Sequence, residues 1–170
     1  MVDEGSAGQG NGSGGAAGRE RFQAEAAARG LHVDIVERPA AKSLEEAAGL
    51  LGISPGDIVK SLVVKHKDGT FLFALIPGDR QISWPKLRTL VGVNKLSLPP
   101  ADVALDATGY ERGTITPLGS TNNWPVYADA TITGRRISMG AGAHGYSAFV
   151  DADALTAALG AVVADISDPT

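Results

Sequence analysis

The chain has 170 residues, 44% of them hydrophobic and 20% charged, which is enough apolar material for one domain-sized core and little more. Fifteen Lys and Arg against nineteen Asp and Glu give a formal charge of -4, which argues against a protein that coats nucleic acid through bulk positive charge; any such contact must be local. The absence of Cys excludes disulfides and thiol chemistry.

No apolar stretch approaches the roughly 20 residues that span a bilayer, and the N-terminus lacks a basic segment followed by an apolar run. A soluble cytoplasmic protein with no membrane partner is therefore expected. Residues 1–18 are mostly Gly, Ser, Ala and Asn, without Leu, Ile or Phe to bury, and are expected to form a disordered tail outside the fold. The folded domain is expected over 19–168. A first helix is predicted from about Arg19 to Arg29, ended by Gly30, and Leu31–Val36 alternates as a half-buried strand does. Ser43 followed by Glu46 is a capping box for a helix stopped by Gly52. After the turn at Ser54–Asp57, Ile58–Lys65 and Phe71–Ile76 read as two strands of a hairpin closed by Lys67–Thr70.

Trp84–Leu90 opens with Pro near its first position and predicts a short helix, and a second is expected over Ala101–Ala107 after the Leu98-Pro99-Pro100 break. Three short runs, Thr114–Leu118, Val126–Asp129 and Arg136–Met139, predict short strands and loops of a mixed sheet, and Phe149-Val150 begins a last strand or turn before a helix capped by Asp151 or Asp153. Strands and helices interleave without strict alternation. The expected fold class is α+β, on a largely antiparallel or mixed sheet.

Metal chemistry has little support, because His32, His66 and His144 lack paired spacing and have no Cys to join them. No Gly-x-Ser-x-Gly elbow occurs, so triad hydrolysis is not supported either. Two features stand out. Lys60 shares the parity of Ile58, Leu62 and Val64 in an apolar strand, where a charge must be paired, line a wet cleft, or snorkel from a strand edge. Two loops, 109–119 and 139–145, are dense in Gly, which serves close backbone approach to an anionic oxygen or plain turns between strands.

In order along the chain, the Lys60 strand, the Gly-Thr-Ile-Thr-Pro-Leu-Gly loop at 113–119, the Val-Tyr-Ala-Asp strand at 126–129 and the Gly-Ala-Gly loop at 140–142 resemble the YbaK/ProX family of aminoacyl-tRNA deacylases. The resemblance runs from about Phe22 to Asp165. It implies a single compact domain with a convoluted mixed, largely antiparallel sheet flanked by helices. It also implies a trans-editing hydrolase that cleaves the ester between a wrong amino acid, such as Cys or Ala on tRNA-Pro, and the terminal adenosine. No cofactor is implied. The implied partners are the acceptor end of mischarged tRNA and prolyl-tRNA synthetase.

By the same resemblance Lys60 anchors the substrate near its carbonyl or phosphate, and the backbone at Gly140 and Gly142 meets the scissile carbonyl. Gly113, Thr114 and Pro117 shape the amino-acid pocket, and Asp129 is an acidic pocket residue. Ile115, Met139 and Val126 are candidate walls, with core packing as the alternative for each. A tRNA ligand further predicts that Lys42, Lys65, Lys86, Arg88, Arg112, Arg135 and Arg136 gather at the pocket mouth. A noncatalytic module that binds a tRNA end or a synthetase predicts the same fold and differs only in turnover.

Overall fold

The computed structural model describes residues 6–170, with side chains from Ala16 onward. Helix α1 (Ser6–Ala28) leads to strand β1 (Asp34–Glu37), α2 (Leu44–Leu51), a 3₁₀ turn (Pro55–Asp57), and the hairpin β2 (Val59–His66) and β3 (Phe71–Pro77). β4 (Arg80–Ile82), α3 (Trp84–Val91), β5 (Leu96–Ser97) and α4 (Ala101–Thr108) follow. After a long loop come β6 (Val126–Asp129), a second 3₁₀ turn (Ala130–Ile132), β7 (Arg136–Gly140), β8 (Tyr146–Asp151), α5 (Ala152–Leu159), β9 (Val162–Ala164) and β10 (Ser167–Pro169).

A five-stranded sheet in the order β5-β2-β3-β6-β9 forms the centre; β3-β6 and β6-β9 run parallel and the other pairs antiparallel. A three-stranded antiparallel sheet, β1-β8-β7, packs beside it, and β10 pairs with β4. The architecture is α+β with a mixed sheet, as the interleaved elements predicted. β3 is buried from Leu72 to Pro77 because both of its faces are covered. Phe73 and Leu75 point into one core with Val59, Val63, Phe22, Ile137, Met139 and Leu155; Leu72, Ala74 and Ile76 point into the other with Val64, Leu87 and Ile166.

Local signals act where the sequence placed them. Ser43 accepts from Glu46 N–H, Ser83 from Lys86 N–H and Asp151 from Ala154 N–H, while Gly52, Gly92 and Gly160 end their helices in the left-handed conformation. Two expectations need correction, and a third, open between strand and loop, is decided. The strand predicted from Leu31 starts at Asp34, because Leu31 N–H closes α1 on Ala26 O. Thr114–Leu118 is a loop, pinched between Gly113 (φ 90) and Gly119 (φ 78), with Thr114 N–H bonded back to Glu111 O and with Pro117 unable to donate to a ladder. Helix α1 begins at Ser6 rather than Arg19, so residues 6–18 of the expected tail are helical and residues 1–5 lie outside the described residues. Gly18 is buried against Gly142, a contact that only two residues without Cβ atoms permit.

Docking of α1 is carried by Phe22, which is fully buried, and Ala26 beside it. Phe22→Ala is expected to cost about 3–5 kcal/mol in denaturant unfolding. Glu20→Ala on the exposed side of the same helix should stay within about 0.5 kcal/mol of wild type.

Candidate functional site

A cavity of about 540 Å³ opens between β2, the start of α2, the Leu98-Pro99 segment, the 112–115 loop and the facing ends of β7 and β8. That size falls among ligand clefts, commonly about 300–1,000 Å³. Its position follows from the hydrogen bonding of β2. His66 donates to Thr70 O and Ile58 O accepts from Gly78, so the even-numbered residues of β2 direct their peptide groups at β3. The peptide groups of the odd-numbered residues therefore point to the opposite edge. There β5 pairs only at Lys65 and His66, and β7, which packs alongside, pairs only through a bridge from Ser138 to Ile58. Ser61 and Val63 lie between these two contacts with no strand partner on that edge, and both line the cavity. The Ser61 hydroxyl is buried without a hydrogen-bond partner.

The charged residues of the wall are Arg38, Lys60 and Arg112, and no Asp or Glu lines it. Lys60 is half-buried and its Nζ donates to Arg80 O at 2.8 Å. Burial pushes its pKa down, opposed by the Asp79 carboxylate nearby. No second protein acceptor holds this ammonium among the described residues, which leaves two of its three N–H groups for another oxygen. Arg38 Nε donates to Ser147 Oγ at 3.0 Å, fixing the guanidinium on the β8 wall.

The structure brings together Lys60, Gly113, Ile115, Met139 and Gly140 as lining residues. It separates the others. Thr114 is buried behind the wall, its hydroxyl donating to Glu111 O. Pro117 is buried and does not line the cavity. Gly142 N–H donates to Thr114 O at 3.0 Å, so it is occupied and cannot serve a substrate carbonyl. Val126 belongs to the first core.

Asp129 is also absent from the cavity: fully buried at the end of β6, it receives Ile166 N–H at 3.0 Å, Thr131 N–H at 3.2 Å and the Thr131 hydroxyl, with Arg80 Nε 3.9 Å away. Burial alone pushes its carboxyl up, but the bonds from Thr131, Ile166 and Ser167 outweigh it and hold the pKa below the ordinary value. It is a structural carboxylate that pins the C-terminal segment to the sheet.

The expected ring of cations is only partly formed. Arg112 lines the cavity and exposed Lys42 lies between lining residues Ala41 and Ser43, but Arg135 pairs with Asp57, Arg136 with Asp34, and Lys86 with Asp165 and Asp168. Lys65 and Arg88 are not among the lining residues. Arg38, Ser61, Tyr146 and Ser147 were not singled out from sequence, since a lone Arg before Pro and alternate residues of ordinary strands carry no motif. His144 lies 3.1 Å from Glu111 on the surface, and among the described residues no group of three or more His, Asp or Glu gathers as a metal site would.

The fold is α+β, with a mostly apolar cleft along an open strand edge whose charged lining residues are all cationic. The family model for the aminoacyl-tRNA editing domain matches residues 38–158, and the chain belongs to that family. It is similar to proline–tRNA ligases, with 33% identity over 97 residues to that of Bacillus licheniformis and 36% over 99 residues to that of Desulfitobacterium hafniense, each match covering 57% of this chain and 17% of the ligase. The chain thus spans about a sixth of the length of these relatives. Two crystal structures share the fold. Hypothetical protein APE2540 superposes with a TM-score of 0.81 and 29% identity, covering 87% of this chain and 99% of that one. A candidate trans-editing enzyme for prolyl tRNA synthetase gives 0.82 and 29%, covering 89% and 97%.

Because the carboxyl of Asp129 titrates below its unfolded value near 3.8, its stabilisation is present at neutral pH and is lost as pH falls through the folded pKa. Asp129→Asn should therefore lose about 1.5–3 kcal/mol at pH 7. Thermal melts from pH 7 downward should show the gap to wild type shrinking below about pH 4.

Proposed function

We propose that the protein hydrolyses the ester linking a wrong amino acid to the terminal adenosine of tRNA, acting in trans to a proline–tRNA ligase. The observation that carries this is the cavity wall, which gathers Arg38, Lys60 and Arg112 and excludes every carboxylate in a chain of formal charge -4. Such a wall suits a nucleotide end with its phosphate. The similarity to proline–tRNA ligases and to a candidate trans-editing enzyme supports tRNA-Pro as the carrier and a small amino acid such as Ala or Cys as the group removed.

An aminoacyl ester needs little activation, so hydrolysis here rests on placement and charge. Water adds to the carbonyl carbon, the carbonyl oxygen takes up negative charge, and the ester C–O bond then breaks with the proton passing to the adenosine oxygen. The products are free amino acid and intact tRNA. Lys60 offers its free N–H groups to the phosphate or to the developing oxyanion. Gly113, Ile115, Met139 and Gly140 bound the space for the amino-acid side chain, and the unpaired peptide groups of Ser61 and Val63 supply further donors and acceptors. Thr114, Pro117 and Gly142 support that wall from behind.

A deacylation panel over alanyl-, cysteinyl-, seryl- and threonyl-tRNA-Pro, with prolyl-tRNA-Pro as control, tests the reading directly. Wild type should release at least one wrong amino acid and spare proline. Lys60→Ala should lose about 10²–10³-fold in kcat with a melting temperature near wild type. Full activity in that variant would remove Lys60 from the site. Binding of misacylated tRNA without release would identify the noncatalytic module instead.

With three cations in the wall, the salt dependence of binding should be shallow. The slope of log affinity against log salt is expected near -2, from about 0.7 per phosphate contact on a single strand. A slope several times steeper, measured by titration over a range of KCl concentrations, would mean that tRNA is gripped by a much larger surface.

A further inference from the structure

We infer that α1 is a clamp that positions both glycine loops of the cavity, with Arg21 as its principal positioning residue, an assignment that rests on the editing function proposed above. The matched family segment begins at residue 38, so the clamp comes from outside it. Arg21 donates through Nη2 to Gly109 O at 2.8 Å and through Nε to Gly119 O at 3.1 Å, spanning both ends of the 109–119 loop with one planar guanidinium. The same group lies 4.7 Å from the centroid of the Tyr110 ring, whose hydroxyl donates to Leu118 O at 2.8 Å. That loop has no ladder of its own, and it carries Gly113 and Ile115 into the cavity wall.

One turn earlier α1 reaches the second loop. A Cβ on Gly18 would stand 2.1 Å from Gly142 O, and one on Gly142 would stand 2.5 Å from Gly18 O, so the two backbones are in direct contact. Gly142 in turn donates to Thr114 O, tying the second loop to the first. Arg19 completes the set, with its guanidinium 4.4 Å from the ring centroid of Tyr146, which lines the cavity. None of Gly18, Arg19 and Arg21 lines the cavity itself. Their effect reaches the substrate only through the loops they hold, and a misplacement of about 1 Å in such a wall can cost on the order of 10²-fold in rate.

The test combines two loosened clamps with a readout that does not depend on activity. Arg21→Lys keeps the charge but cannot span both carbonyls, and Gly18→Ala wedges the helix away from Gly142 without removing a hydrogen bond. Each should lower kcat/KM on alanyl-tRNA-Pro by about 10- to 100-fold. Each should also narrow the preference over prolyl-tRNA-Pro, and accelerate amide hydrogen exchange in 109–119 and 140–145 while the β2–β3 amides stay protected. Arg19→Ala, on a less buried contact, should lower kcat/KM to a smaller degree with an unchanged melting temperature. A scaffold role alone would lower melting temperature and raise exchange evenly with kinetics and substrate preference intact, and that result overturns the clamp; so does faster loop exchange with unchanged kinetics. If wild type hydrolyses no misacylated tRNA, the editing function falls on its own, and the exchange pattern in the free protein still decides whether α1 holds the loops.

Discussion

The open edge of β2 is the constraint from which the site is built. A strand that pairs on one side must place its remaining N–H and C=O groups somewhere, and buried groups left without partners are costly. In this chain β5 stops after Ser97 because Leu98 is followed by Pro99 and Pro100, neither of which can donate to a ladder. On the other side β7 pairs with β2 only at Ser138. The gap between these contacts keeps Ser61 and Val63 facing a cavity instead of a neighbouring strand. Water or a ligand must satisfy them, so a concave polar rail is a direct consequence of two prolines and one glancing bridge.

Charge placement makes that rail selective. The molecule is acidic overall, yet of its carboxylates Asp57 holds Arg135, Asp34 holds Arg136, Asp129 is consumed by backbone donors at the far end of the sheet, and Asp79, close enough to Lys60 to oppose the loss of its proton, lies outside the lining. What remains in the cavity is cationic. Arg38 is braced on Ser147, and Lys60 rests on one carbonyl with its charge partly desolvated. A few cations in a cleft focus potential locally, which makes the proposed tRNA-end ligand compatible with a net negative protein. The acidic remainder of the surface limits nonspecific adhesion along a nucleic acid.

Much of the scaffold was legible because its signals are local. Ser43 with Glu46, Gly52 after α2, and the apolar runs Ile58–Lys65 and Phe71–Ile76 joined by the Lys67–Thr70 turn each act within a few residues, and the structure uses them as written. The family was legible from four short motifs in a fixed order. Less legible was which side of a motif faces the ligand. Thr114–Leu118 has the β-branched content of a strand, but Gly113, Pro117 and Gly119 turn it into a loop. Asp129 has the sequence position of a pocket acid, and only tertiary contacts from Ile166 and Ser167, far along the chain, show it spent on structure. The strands β4, β5, β9 and β10 have two or three residues each, too few for periodicity to mark. Arg38 and Ser147 meet only after the chain has folded back across the domain.

The two glycine loops show why composition alone leaves function open. Glycine permits close approach, but the sequence does not say what approaches. At Gly140 the neighbour is the cavity, together with Ile115 O, which an added Cβ would meet at 2.8 Å. At Gly142 it is the backbone of α1. Under the proposed editing function the second use bears on the first, because discrimination among small amino acids by pocket volume is worth only about 1–3 kcal/mol per methylene. So small a difference survives only if the wall cannot yield by a fraction of an ångström. A loop of glycines is a poor wall by itself, and in this fold its stiffness is borrowed from the helix that Gly142 and Gly119 let come close.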